Sequence, residues 1–326
     1  MRSLFPIALV SLCLFSCSST PTGSSSGGGS GPLPPDTLAP PAKADGFQLS
    51  ATTKAQPGEE IWKCIISDLP TTSFYDVNHV ESVQNDAMHH MDIAALVFVG
   101  ADIAPGEHDC APLYEKYPDL MEEGMTIYAS QHGKQEIKLP EGTSANLPPA
   151  LRIMHEMHFV NTTSEPVTVF SKVNIYRYPK EKVTSNIWGF AVRDRNINLP
   201  PQSEQTEWTR CVMNEDVDVL FITSHTHQLA RKTTINTFDG KTTGPQIFEN
   251  TAWQSPNLLS FTDKPMHVTK GTGFEFSCFY KNSTDAEVKW GFKSTDEMCQ
   301  IALVFTPGNS SAKCDVVETS DGVLPD

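Results

Sequence analysis

Between Gly46 and Ser310 the hydrophobic positions fall in short runs, with little of the spacing of a helix. Residues 93–99, 150–154, 167–170, 173–178, 218–224 and 301–305 are such runs. They are rich in Val, Ile, Leu and Phe, most of which suit a pleated, half-buried surface. Clusters of turn residues part them, at Ala104-Pro105-Gly106, Leu139-Pro140-Glu141-Gly142 and Phe238-Asp239-Gly240. Short strands between turn signals predict an all-β sandwich or jelly roll. Residues 111–124 read as a brief helix or a loop. The stretch is longer than one sandwich of ~100 residues needs, so two domains are expected, at 48–180 and 181–316. They divide at the polar segment Tyr178-Pro179-Lys180-Glu181-Lys182, no sequence repeat relates them, and residues 317–326 read as a tail.

The N-terminus reads as a targeting segment. Met1-Arg2 is a short basic start, and the apolar run from Leu4 to Phe15 is too short to span a bilayer. It ends in Leu14-Phe15-Ser16-Cys17, a bacterial lipobox in which Cys17 would be acylated and become the first residue of the mature protein. Phe15 is unusual in that box, Cys13 is a second candidate, and cleavage of a plain secretory signal near Ser16 is the alternative. Residues 18–47, Ser-, Gly- and Pro-rich, would form a flexible tether. An exported protein anchored only by its lipid is expected, in the periplasm or at the cell surface. Ser18 after the acylated cysteine favours the outer membrane of a Gram-negative cell.

Charge narrows the partners. Thirty-nine acidic against 24 basic residues, net −15, argue against nucleic acid. Of eight cysteines, six remain once Cys13 and Cys17 are set aside. An even number in an exported chain implies disulfides, though the spacing does not choose the pairing. No CxxC, GxSxG, HExxH or Gly-rich phosphate loop occurs.

The candidate chemistry lies in histidines. His225-Thr226-His227 ends the strand-like run 218–224, and residues two apart on a strand share a face, so both imidazoles reach one metal ion. His89-His90 is a second pair; adjacent residues face opposite ways unless a bulge or strand end intervenes. In Met154-His155-Glu156-Met157-His158-Phe159 only one histidine can serve the site. His158 is the choice, with Glu156 on its face to orient the ring and Met157 turned to the core. Imidazoles with the thioether of Met298, beside Cys299, make a set soft enough to favour copper. His79, His108, His132 and His267 lack partner spacing and read as surface or loop residues. The sequons at Asn161, Asn282 and Asn309 carry little weight in such a chain.

Taken in order, His89-His90-Met91, Glu156-Met157-His158-Phe159-Val160-Asn161, His225-Thr226-His227 and Asp296-Glu297-Met298-Cys299 resemble the copper type II, ascorbate-dependent monooxygenases. These are the relatives of peptidylglycine α-hydroxylating monooxygenase and dopamine β-monooxygenase. Residues 185–201 also look like the start of that family's second domain, and the resemblance runs from about Gln48 to Cys314. It implies two tandem antiparallel jelly-roll-like β-sandwich domains facing across a solvent-filled cleft, with two copper ions per chain. His89, His90 and His158 would hold an electron-transfer copper, and His225, His227 and Met298 the copper that binds O2. Ascorbate or another one-electron donor would reduce both, and a C–H bond of a small organic substrate would be hydroxylated. Disulfides Cys64–Cys110, Cys211–Cys314 and Cys278–Cys299 are implied as well.

The departures bear on substrate. Thr223 stands where the peptide-amidating enzyme has a carboxylate-binding arginine, and Gln300 and Ala302 replace an asparagine and a tyrosine. A peptidylglycine substrate is therefore not expected. A lipoprotein that binds or buffers copper without turnover is the competing reading. Zinc hydrolysis at His225 and His227 fits less well, with no acidic third ligand nearby.

Overall fold

Alternation along β22 (Cys299–Thr306) shows why these residues form strands. Cys299, Ile301, Leu303 and Phe305 are buried, while Gln300, Ala302, Val304 and Thr306 point to the opposite, partly open face. The computed structural model describes residues 38–68, 73–86, 88–96, 103–117, 120, 125–131, 133–147 and 152–322. The acylation site Cys17, the signal segment, most of the tether, His132 and residues 97–99 and 150–151 of the predicted strands lie outside them.

Four large sheets carry the fold. The first orders β1 (Gly46–Ala55), β10 (Val167–Arg177), β3 (Tyr75–Gln84), β8 (Thr143–Leu147) and β11 (Ser185–Asn186), with β7 (Lys134–Lys138) also on β3. The second orders β5 (Gly106–Asp109), β2 (Glu60–Asp68), β9 (Arg152–Val160), β4 (Met88–Leu96) and β6 (Met125–Ser130). These two sheets close on one core that includes Ile93, Ile153, Met157, Val173 and Ile175. The third orders β12 (Trp188–Asp194), β22, β15 (Val217–Thr226) and β18 (Leu258–Ser260), with β19 (Met266–Val268) also on β15. The fourth orders β17 (Thr243–Asn250), β16 (Ala230–Phe238), β20 (Gly273–Asn282), β14 (Ser203–Met213) and β23 (Cys314–Thr319). They share a second core around Ile222, Phe274, Phe276, Tyr280 and Phe305. A small ribbon pairs β13 (Asn198–Leu199) with β21 (Val288–Lys289). Among the described residues, all ladders are antiparallel except the short one between β11 and β8. The all-β sandwich architecture is as the alternation predicts.

Three boundaries differ from the sequence reading. β1 starts at Gly46, inside the expected tether, because its full length pairs with β10. β23 runs to Thr319, inside the expected tail, because Thr319 lies opposite Thr209. Helix α1 (Cys110–Lys116) takes only the first half of the stretch 111–124 and is tied to β2 by Cys64–Cys110. Disulfides Cys211–Cys314 and Cys278–Cys299 are also formed, the latter joining β20 to β22 across the second core.

One repeat escapes the sequence. Just past β9, Asn161 is fully buried and takes the backbone N–H and hydroxyl of Thr163 on its Oδ1; Asn282 at the end of β20 does the same with Thr284. Both amides then donate across to neighbouring carbonyls, Ala55 and Glu165 in one case and Leu199, Pro200 and Ala286 in the other. These Asn-x-Thr triplets are turn locks.

The two pairs of sheets meet along an apolar seam. Leu139 from the first packs with Leu220 and Phe221 of β15, flanked by Ile137, Ile187, Leu258 and Val304. Among the described residues no helix is long and apolar enough to cross a membrane.

Candidate metal centre

A β-bulge delivers the first pair. On β4, Met88 lies opposite Phe159 and His90 opposite His158, so His89 is the extra residue between them. The bulge that an adjacent pair requires is therefore present, and His89 and His90 turn toward the same point. His158, on β9 and fully buried, brings its Nδ1 to 3.2 Å from His89 Nδ1 and 3.2 Å from His90 Nε2. One ion with bonds of ~2.0–2.1 Å to nitrogen spaces its ligand atoms by roughly this distance. His155 turns the other way and bonds Ser171 Oγ at 3.0 Å, leaving one histidine of that pair for the site.

Partners fix the tautomers. His158 Nε2 donates to Glu60 Oε1 at 2.6 Å, which holds the Glu60 carboxyl at about 2. Glu156, expected in that role, is engaged elsewhere: it accepts from Trp62 Nε1 and from the Tyr114 hydroxyl. Glu60, at the start of β2, is the carboxylate that reaches the His158 ring, while Trp62 and Tyr114 hold that of Glu156. Trp62 stacks on His158 at 5.1 Å. His90 Nδ1 stands 3.2 Å from Asp92 Oδ2, an electrostatic contact without the alignment of a hydrogen bond.

The second pair leaves the end of β15 as expected. His225 Nδ1 donates to Gln131 Oε1 at 2.9 Å, and His227 Nδ1 to the Asp296 carbonyl at 2.9 Å. Each keeps its Nε2 for a ligand role. Glu297 underpins this turn: fully buried, it accepts the backbone N–H groups of His227 at 3.1 Å, Leu229 at 2.6 Å and Met298 at 3.3 Å. Met298 is buried, its carbonyl accepts from the Tyr280 hydroxyl at 2.6 Å, and it lines one cavity of about 990 Å³ with His90, His225 and His227.

The sets are not separated as the resemblance implies. One nitrogen from each of His89, His90 and His158 lies within 4.8 Å of the others, and the same holds for His89, His225 and His227. Ring centroids are 5.4 Å apart for His89 and His225 and 4.9 Å for His89 and His227. The apolar seam, and Gln131 reaching from the first pair of sheets to His225 and the Trp253 carbonyl, draw them together.

The residues that differ from the peptide-amidating enzyme line the same cavity. Thr223 is opposite Ala302, and Gln300 lies between His225 on one side and Arg193 on the other. Arg193 Nε donates to Gln300 Oε1 at 2.9 Å, so a guanidinium stands across β22 from the strand that carries the threonine. Glu60, Asp92, Gln131 and Glu297 were not singled out from sequence. Asp92, two residues from His90 on its face, and Glu297, next to Met298, had a local signal; Glu60 and Gln131 act across long separations and had none.

A comparison of sequences bears on one part of this geometry. Residues 188–321 match the C-terminal domain of the copper type II ascorbate-dependent monooxygenases. That segment contains His225, His227 and Met298, and the match supports a copper-dependent monooxygenase at family level. No curated protein matches the chain. Among solved structures, one of oxalate decarboxylase is 6% identical, covering 83% of this chain and 72% of its own at a TM-score of 0.16, too slight to carry an argument.

The buried imidazoles make the metal-free protein acid-sensitive. Burial pushes His155 and His227 from 6.5 down to about 4, and His89 and His225 lower still. Each adds stability that is complete above about 6.5 and is lost as pH falls, because the unfolded chain takes protons that the fold refuses. Glu297 works in the opposite sense: burial raises it to about 7, so its contribution is greatest at low pH and is lost as pH rises through that value. Buried Glu156, also raised, acts likewise. His158 is lowered as well, against one raised histidine, His90, and the raised carboxyls of Asp194 and Glu207 besides these two. The histidines, whose ordinary value lies inside the window, set the direction, so the urea midpoint of chelator-treated protein is expected to fall between about pH 7 and about pH 5. A flat or rising midpoint contradicts this.

Proposed function

We infer that this is an exported copper-dependent monooxygenase that hydroxylates a C–H bond of a small organic substrate, using O2 and a one-electron donor such as ascorbate. The observation that carries the reading is the pair of histidine sets, in which His158, His225 and His227 each tie one ring nitrogen outward and turn the other to the cluster, one set within the segment that matches the monooxygenase domain. His89, His90 and His158 would hold one copper, and His225, His227 and Met298 a second. Copper there supplies one-electron redox chemistry and activates O2.

The remaining work falls to the side chains. Glu60, Gln131 and the Asp296 carbonyl fix which ring nitrogen faces the metal. The thioether of Met298 favours the reduced ion. The cavity, with Phe221 and Leu258 in its wall and Arg193 beside Gln300, has the size to enclose a small organic molecule and keep water from it. The balance is substrate, O2, two electrons and two protons to alcohol and water, so two one-electron donors are consumed per turnover. Domains at 48–180 and 181–316, the tether, and an anchor through acylated Cys17 to the outer membrane complete the reading.

Copper content and ascorbate-driven oxygen uptake of the purified protein test it. Met298→Ala is expected to abolish uptake while His225 and His227 still bind copper; unchanged uptake in that variant sinks the mechanism. Tight copper binding with no uptake above that of free copper, across a broad reductant and substrate screen, would mark a copper-buffering lipoprotein instead. The altered Thr223, Gln300 and Ala302 are what keep that alternative in play.

A further inference from the structure

On the outer face of the first sheet, three side chains of ligand type gather. His79 and Glu81 are two apart on β3 and share a face, and Glu136 of β7 lies directly opposite Glu81. They alternate with Val80, which is in the first core, just as His158 alternates with Met157 on β9, so that core separates them from His158. His79 Nε2 stands 3.0 Å from Glu136 Oε1. One ligand atom from each of the three residues lies within 4.8 Å of the other two.

The neighbouring strand holds the arrangement in place. Across β10, Tyr176 is opposite His79 and Asn174 opposite Glu81. The Tyr176 ring stacks on the imidazole at 4.4 Å with 10° between the planes, and its hydroxyl donates to Glu81 Oε2. Asn174, fully buried, donates to that hydroxyl at 3.2 Å and to the Ala39 carbonyl at 2.8 Å, and accepts from Gln48 at 2.9 Å. Ring and carboxylate are thus oriented before any ligand arrives, which lowers the entropic cost of binding one. Like charges directly opposite on a sheet are destabilising. The positions facing Glu81 carry no cation, being Asn174 on β10 and Glu136 on β7, while Lys138 and Lys134 of β7 face His79 and Val83.

We propose that His79, Glu81 and Glu136 form a further metal site, for a divalent first-row ion such as Zn(II) or Cu(II). Imidazole suits both ions, and the carboxylates complete a set of one nitrogen and two oxygens. Bonds of ~2.0–2.2 Å to such atoms space them by roughly 3 Å. The His79–Glu136 pair already meets that spacing, leaving Glu81 to draw in. Three protein ligands leave the solvent side to water. The donors include no sulfur, so the site suits Cu(II) and not Cu(I), unlike a set with a thioether. Loading replaces the His79–Glu136 hydrogen bond with bonds to the metal and sends its proton to solvent, with no change in oxidation state.

This inference does not rest on the copper reading of the other histidines, and its test is separate. Full-length metal-free protein and the variants His79→Ala and Glu81→Gln/Glu136→Gln are dialysed against micromolar zinc, and bound zinc is counted. None of the three side chains is buried, so the fold, and whatever ions the other histidines take, are expected to be unchanged. The expected result is one zinc ion fewer per chain in each variant. Labelling with diethyl pyrocarbonate, read by mass spectrometry, locates the ion: zinc is expected to protect His79 in the unmodified protein and not in the double glutamine variant. A zinc count unchanged in either variant, or His79 labelled equally fast with and without zinc, overturns the site. Saturation only at millimolar zinc marks an ordinary acidic surface and overturns it as well. With Cu(II) in place of zinc the same difference of one ion is expected, and anaerobic dialysis with ascorbate is expected to erase it. A difference that survives reduction overturns the assignment of the donors.

Discussion

Glu297→Ala is expected to cost the protein several kcal/mol of stability and the shape of its second histidine pair. Glu297 is fully buried and is the acceptor for three backbone N–H groups, those of His227, Leu229 and Met298. Each buried donor left without a partner costs ~1–3 kcal/mol, and alanine leaves all three. Two of the three belong to residues proposed as ligands, so on that reading copper affinity at the second set should fall with stability. Glu297→Gln keeps one acceptor oxygen and should lose less on both counts. Urea midpoints of the metal-free variants and copper retention after dialysis read the two effects. A midpoint within ~1 kcal/mol of the unmodified protein for the alanine variant would mean water enters to satisfy the donors.

The second large effect is expected on removing Cys211–Cys314. The residues are 103 apart in sequence, and a loop of that order constrains the unfolded chain by ~4–5 kcal/mol in the chain-entropy account. Cys278–Cys299, 21 apart, should be worth ~3 kcal/mol by the same reasoning. Their functional costs should run the other way. Cys211–Cys314 links neighbouring strands β14 and β23 far along the chain from any ligand, whereas Cys278–Cys299 holds β22 to the opposite sheet one residue from Met298. Paired Cys→Ala variants are expected to show the larger loss of midpoint for the first and the larger loss of copper for the second. Equal copper loss in both would mean that Met298 is positioned by the fold as a whole.

Strand periodicity made the sandwich legible, because an alternation such as that of β22 leaves one face for a core and says so locally. The candidate ligand residues drew notice for the same reason: His225 and His227 advertise a shared face, and an adjacent pair at 89–90 demands a bulge that the structure supplies. Interactions between distant segments were not. Glu60 meets His158 across 98 residues and Gln131 meets His225 across 94, and nothing in either neighbourhood points to the other. The same blindness hid the closeness of the two sets, which depends on how Leu139 packs on Leu220 and Phe221. The Asn161 and Asn282 locks were read as sequons of little weight, since a turn and a glycosylation signal share one pattern of letters.

The chain that passes from one pair of sheets to the other is fastened on both sides. Thr184 and Ile187 donate to Gly142 and Ser144 at 2.7 and 2.8 Å, and Asn186 accepts on its carbonyl from Gly308 at 2.5 Å and from the Thr306 hydroxyl at 3.1 Å. Such a passage is a weld and not a hinge. Rotation about it would have to break the β11–β8 ladder or strip Gly308 from Asn186, so it has no soft axis about which the halves could swing apart. On the monooxygenase reading, substrate and reductant would then enter through the mouth of the cavity itself, and ascorbate-driven oxygen uptake is expected to be insensitive to solvent viscosity where that of a swinging-domain enzyme would slow.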